Sequence, residues 1–185
     1  MNTTFFSRAF RLLLVAASVL IAPVAALAAD HAALERDAQT AYRNLLVTVP
    51  AAKTLSTGAV AVLVFPKITK AGLVVGGQYG DGVLFKNGKT AGYYNTTGAS
   101  YGLQAGAQQY GYAMFLMNDK AVSALNANNG FEVGVGPSLV MVDQGMGKSL
   151  TTTTAKEDIY AFVFGQRGLM AGLGMQGNKI TTLSE

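Results

Sequence analysis

Residues 59–85 read AVAVLVFPKITKAGLVVGGQYGDGVLF, and the fold class turns on how this stretch is parsed. Residues 59–65 form a β-rich apolar run stopped by Pro66, and Leu73-Val74-Val75 begins a second strand. Val83-Leu84-Phe85 and Tyr93-Tyr94 flank Asn87-Gly88, a strong signal for a two-residue type I′ hairpin. Further strands are predicted at 101–117, 131–142, 159–164 and 169–176, about seven to nine in all, antiparallel. One interruption is helical: Asn118 or Asp119 caps a short helix through Ala121, Val122, Ala124 and Leu125. All 22 glycines fall between Gly58 and Gly177. Glycine weakens a strand unless a bend or close backbone approach needs it, so Gly134, Gly136, Gly172 and Gly174 predict a strongly curved or barrel-like sheet.

Upstream of Gly58 the texture changes. Leu34, Ala38, Ala41, Tyr42, Leu45, Leu46 and Val49 recur at three- and four-residue spacing, which predicts an amphipathic helix over about residues 32–47 with Asp30 as N-cap. Pro50 ends it, and 51–56 add a short helix closed by Gly58. The class is therefore α+β: an N-terminal amphipathic helix packed on a curved, Gly-rich antiparallel sheet, with one further short helix. Before this comes an address. Arg8 and Arg11 precede the apolar run LLLVAASVLI at 12–21, and Ala26-Leu27-Ala28 is an A-x-A cleavage site. The division expected is a signal peptide over 1–28 and one domain over 29–185, starting at Ala29 or Asp30, with a periplasmic or secreted destination.

Composition excludes more than it names. With no cysteine there are no disulfides, thiolate zinc sites or Cys nucleophiles, and the one histidine, His31, cannot make a His₂ metal pair. Gly145-Met146-Gly147-Lys148-Ser149 lacks the first glycine of a phosphate loop, because position 142 is Val142. Asp81, Asp119, Glu132, Asp143, Glu157 and Asp158 could in principle supply a carboxylate pair for hydrolysis, but most sit at predicted turns or caps. No catalytic residue, metal or cofactor is expected, and the net charge of +4 is too mild for a nucleic-acid binder.

The charge is unevenly spread. Residues 53–120 carry six lysines against Asp81 and Asp119, a local net of +4. Lys67, Lys70, Lys86 and Lys89 flank predicted turns near Phe65, Ile68 and Leu73, and five tyrosines (Tyr93, Tyr94, Tyr101, Tyr110 and Tyr112) lie close by. Lysines beside turn-borne apolar residues suit a phosphate headgroup and its acyl boundary. The four lysines are thus the candidate headgroup contacts, with Phe65, Ile68 and Leu73 as apolar contacts.

Several blocks resemble the SYLF domain family. Residues 62–84 (VLVFPKITKAGLVVGGQYGDGVL) look like its opening signature, and 98–106 (GASYGLQAG) resemble its G-A-S-x-G-x-Q-x-G core. Phe131-Glu132-Val133-Gly134, Tyr160-Ala161-Phe162 and Gly168-Leu169-Met170-Ala171-Gly172 match later blocks in the same order. The resemblance implies lipid binding, through phosphoinositides in eukaryotic members, some of which also bind actin. For an exported chain the expected partner is an anionic phospholipid, a related amphiphile or the membrane surface. The alternative is a structural envelope protein that self-associates as a homo-oligomer or holds a protein partner.

Overall fold

The computed structural model describes residues 22–127, 130–132, 136–142 and 155–183 and, within them, the side chains of all but 22–29, 102–104 and 169–177. The apolar run at 12–21, Gly134, Asp143 and the segment 145–154 lie outside the described residues. Helix α1 spans Ala22–Thr48 and α2 spans Pro50–Ser56, with Val49 between them as the α2 N-cap and Pro50 in the first turn, where no backbone N–H is needed. Because α1 is continuous from Ala22, Asp30 is not its N-cap; the helix starts earlier than the periodicity of its packed face indicates.

Three strands dominate: β1 (Ala61–Lys86), β2 (Lys89–Leu116) and, after two short strands, β5 (Ile159–Thr182). Helix α3 (Asp119–Leu125) follows β2; β3 is Phe131–Glu132 and β4 is Leu139–Met141. The order across the sheet is β1-β2-β5-β3, with β4 added on β5 to complete a strongly curved half-barrel. The many short strands of the sequence reading are thus merged into three long ones. Pro66 does not end a strand: it falls at a register shift between Phe65 and Ile68, where the ladder is already interrupted and its missing N–H costs little. Nor is the sheet wholly antiparallel, since β4 runs parallel to β5. The hairpin reading holds in detail. Lys86 pairs with Lys89 across Asn87 (φ 53) and Gly88 (φ 73), the two positive φ angles of a type I′ turn. Asn118 caps α3 by accepting a hydrogen bond from the Ala121 N–H at 3.0 Å.

Strands this long must bend. In β1 the chain turns back at Leu73-Val74-Val75, with Val74 at φ 66 and Gly72 directly against Gly76. β2 bends at the same level: Leu73 pairs with Ala105 and Val75 with Tyr101, so residues 102–104 stand opposite Val74 alone, two more than on β1. β5 follows β2 through the bend in unbroken register, Leu103 opposite Leu173 and Tyr101 opposite Met175. The three-stranded ribbon therefore doubles over on itself.

Period-2 alternation gives the doubled ribbon two buried faces near its open end. Leu63, Phe65, Ile68, Leu84, Met114, Leu116 and Ile159 point inward, where Leu125 and Phe131 close the interior. Val62, Val64, Val83, Phe85, Phe115, Tyr160 and Phe162 point outward, against Ala38 and Leu45 of α1 and Leu55 of α2. Inside the fold-over, glycines on one leg face bulky groups on the other. A Cβ on Gly80 would stand 2.8 Å from both the Ile68 side chain and the Lys67 carbonyl, and one on Gly82 would meet the Phe65 ring. Tight leg-to-leg packing needs hydrogen at these positions.

Candidate functional site

The geometry sorts the seven candidate residues into three groups. Phe65 and Ile68 are buried, 0% and 2% exposed, so they are core residues and not surface contacts for lipid. The bulge at Pro66 explains both: it resets the alternation so that residues three apart face the same interior. Leu73, by contrast, is 75% exposed at the crest of the bend. Lys86 and Lys89 are exposed at the hairpin turn. Twelve residues separate Val74 from Lys86, about 40 Å of strand at ~3.3 Å per residue, so these lysines do not share a surface with the bend. Lys67 and Lys70 lie on the leg of β1 that leads into it.

Lys67 belongs to a cleft of about 510 Å³ between α1 and the sheet. Ala41 and Leu45 of α1, Pro66 of β1 and Phe164 of β5 supply apolar walls; Lys67 and Arg167 supply two cations, and no carboxylate lines the cleft. Register explains the meeting: Arg167 pairs with Gln109, which pairs with Thr69, two residues from Lys67. On its other side Lys67 borders a smaller cleft of about 170 Å³, shared with Asp37, Tyr79 and Asp81. There the Tyr79 hydroxyl donates to Asp81 at 3.0 Å and Asn95 donates to it at 2.7 Å. Chemically, the larger cleft suits an anion attached to an apolar body. Arg167 was missed by sequence reasoning. Its only signal is that it is the sole charged residue between Asp158 and Lys179.

The concave interior holds a further cavity of about 350 Å³ with uncharged walls, part polar and part apolar. The Tyr110 hydroxyl donates to Gln78 Oε1 at 2.8 Å, and Gln78 Nε2 donates to Asn178 Oδ1 at 2.9 Å. This chain links the doubled legs of the ribbon, one residue from each long strand. Burial, with Tyr110 nearby, raises the Tyr112 pKa well above the usual phenol range, so its hydroxyl stays protonated. Elsewhere the candidate catalytic groups do structural work. His31 stacks on Tyr93 at 4.0 Å, and the Tyr93 hydroxyl donates to Glu35 at 3.0 Å, fixing α1 to the sheet. Asp158 accepts from Asn118 at 2.7 Å, Lys120 at 3.1 Å and the Ser138 N–H at 3.0 Å, tying α3 to the start of β5. Among the described residues no three His, Cys, Asp or Glu side chains gather as a metal site, and no helix is long and apolar enough to cross a membrane.

Comparison with curated proteins returns no match. Residues 97–185 match the family model described as Ysc84, Las17-binding protein actin regulator. The matched segment holds the 98–106 block and every later block of the resemblance, and β1, outside the match, pairs with β2 along nearly its whole length. That match, over residues 97–185, is consistent with a domain of the SYLF family.

Proposed function

We propose that this domain docks onto anionic phospholipid, or a related amphiphile, in a bacterial envelope after export. Lipid and actin-related binding in the SYLF family, a family of binding domains, gives the general ground. The observation that carries the finer reading is the 510 Å³ cleft, in which Lys67 and Arg167 stand over apolar walls with no carboxylate among the lining residues. A phosphate headgroup would meet the two cations while the start of an acyl chain lies against Leu45 and Phe164. The packing of α1 is compatible with export: among the described side chains, Leu34, Ala38, Ala41, Tyr42, Leu45 and Leu46, which pack on the sheet, lie downstream of the A-x-A site, so cleavage would leave them in place.

The test is vesicle co-sedimentation of Lys67→Gln/Arg167→Gln over a salt series. Each cation near an anionic surface contributes about 1 kcal/mol, so the pair should weaken binding by roughly 30-fold with stability unchanged. Lys86→Gln/Lys89→Gln should bind like wild type. Wild-type binding by the Lys67/Arg167 variant would overturn the reading. A concentration-dependent oligomer that ignores vesicles would instead favour the structural envelope protein.

A further inference from the structure

Among the described residues, the bend gathers the most exposed large apolar side chains of the sheet. Leu73 is 75% exposed, Val75 62% and Tyr101 70%, with Val74 between them. These residues occupy one crest, because Val75 pairs with Tyr101 and Leu73 with Ala105. Charge is arranged around the crest in a definite way. Residues 71–80 of β1, 96–110 of β2 and 168–178 of β5 contain no Asp, Glu, Lys or Arg. At the borders stand Lys70, Arg167 and Lys179, of which Lys179 lies opposite Glu132 in the ladder, and the carboxylate of Asp81, which Tyr79 and Asn95 engage. Backbone strain adds a second observation. Val74, a β-branched residue 47% exposed, is held at φ 66, a conformation it rarely adopts, in the middle of the crest. A chain optimising only its fold would place glycine there.

From these observations, and resting on the lipid reading above, we infer that the crest formed by Leu73, Val74, Val75 and Tyr101 is a wedge that enters the outer region of an anionic bilayer. The charge-free crest would meet the acyl boundary, while Lys67, Lys70 and Arg167 behind it would meet the phosphates. Tyr79, 56% exposed on the second leg, has the amphipathic character of residues at the headgroup level. Insertion must be shallow. The outer edge of β1 has no partner strand among the described residues, and unpaired backbone groups cannot be carried into hydrocarbon.

The chain has no tryptophan, so one introduced at Val75 is a unique reporter. Val75→Trp should shift its emission to the blue on adding vesicles of phosphatidylcholine and phosphatidylglycerol in equal parts, and brominated acyl chains should quench it. Val47→Trp, at a position 85% exposed on α1, should show neither change. Val75→Asp should weaken sedimentation with the same vesicles by about tenfold or more without moving the thermal midpoint. Vesicle binding with no shift at Val75→Trp overturns the wedge and leaves the cleft reading standing. No vesicle binding by wild type overturns both. A blue shift that grows with protein concentration in the absence of lipid means that a second copy covers the crest, and also overturns the wedge.

Discussion

The two ends of the doubled ribbon are made of the same three strands, yet they are different materials. At the open end each strand is buried on both faces, by α1 and α2 outside and by α3 and β3 inside. At the bend the same strands lose their charges and show Leu73, Val75 and Tyr101 to solvent. Among the described residues, the packed core is concentrated at the first end. An exposed apolar crest that does not serve the fold is where a binding function is to be sought.

That contrast can be broken most directly at Phe65, which the sequence makes a surface candidate and the fold makes core. Truncation to alanine should cost about 3–5 kcal/mol in chemical denaturation, as for other buried phenylalanines. A loss below about 1 kcal/mol would mean that the inner face is not packed as described.

Next in size is Gly80→Val. The first added carbon would stand 2.8 Å from a backbone carbonyl, which cannot rotate away as a side chain can. Overpacking of this kind costs typically 1–3 kcal/mol, seen as a lowered denaturation midpoint. Equal stability would show that the two legs separate easily and that the ribbon is not locked in its doubled form.

A third measurement concerns the clasp at the open end. Hydrogen bonds from Asn118, Lys120 and Ser138 hold the Asp158 carboxyl down from 3.8 to about 2. A depressed carboxylate pKa stabilises the fold above the unfolded value, and that contribution is lost as pH falls. Thermal melts should therefore show wild type losing stability between pH 3.8 and about 2 in excess of Asp158→Asn, whose residue does not titrate. Parallel curves through that window would remove Asp158 from the clasp.

The smallest effect is expected at the crest. Leu73→Ser changes a side chain that is 75% exposed, and surface changes of this kind stay within about 0.5 kcal/mol. A cost above 1 kcal/mol would show that Leu73 is covered in solution, and would erase the distinction between the two ends.

Much of the local structure was legible. The Asn87-Gly88 turn, the Asn118 cap and the packed face of α1 each depend on chemistry within a few residues, which sequence states directly. Pro66 was misread because the rule that proline stops a strand holds only where the ladder needs its N–H, and a bulge removes that need. Phe65 and Ile68 were misread for the same reason, since their shared inward face depends on the reset that the bulge makes. Arg167 could not be joined to Lys67 in sequence: the two lie a hundred residues apart, and only the β1-β2-β5 order brings them to one cleft.

The sequence by itself determined that this is an α+β domain with an amphipathic helix ahead of a Gly-rich sheet, because periodicity and turn chemistry act over a few residues. It also determined that cysteine and paired-histidine chemistry are absent, and that the middle of the chain is basic. Only the tertiary structure decided that the strands double over, that two of the three apolar candidates are buried, and that Lys67 pairs with Arg167 instead of with Lys86 and Lys89. Which face of a strand meets solvent depends on what is packed against it, and that is a property of the whole chain and not of any segment.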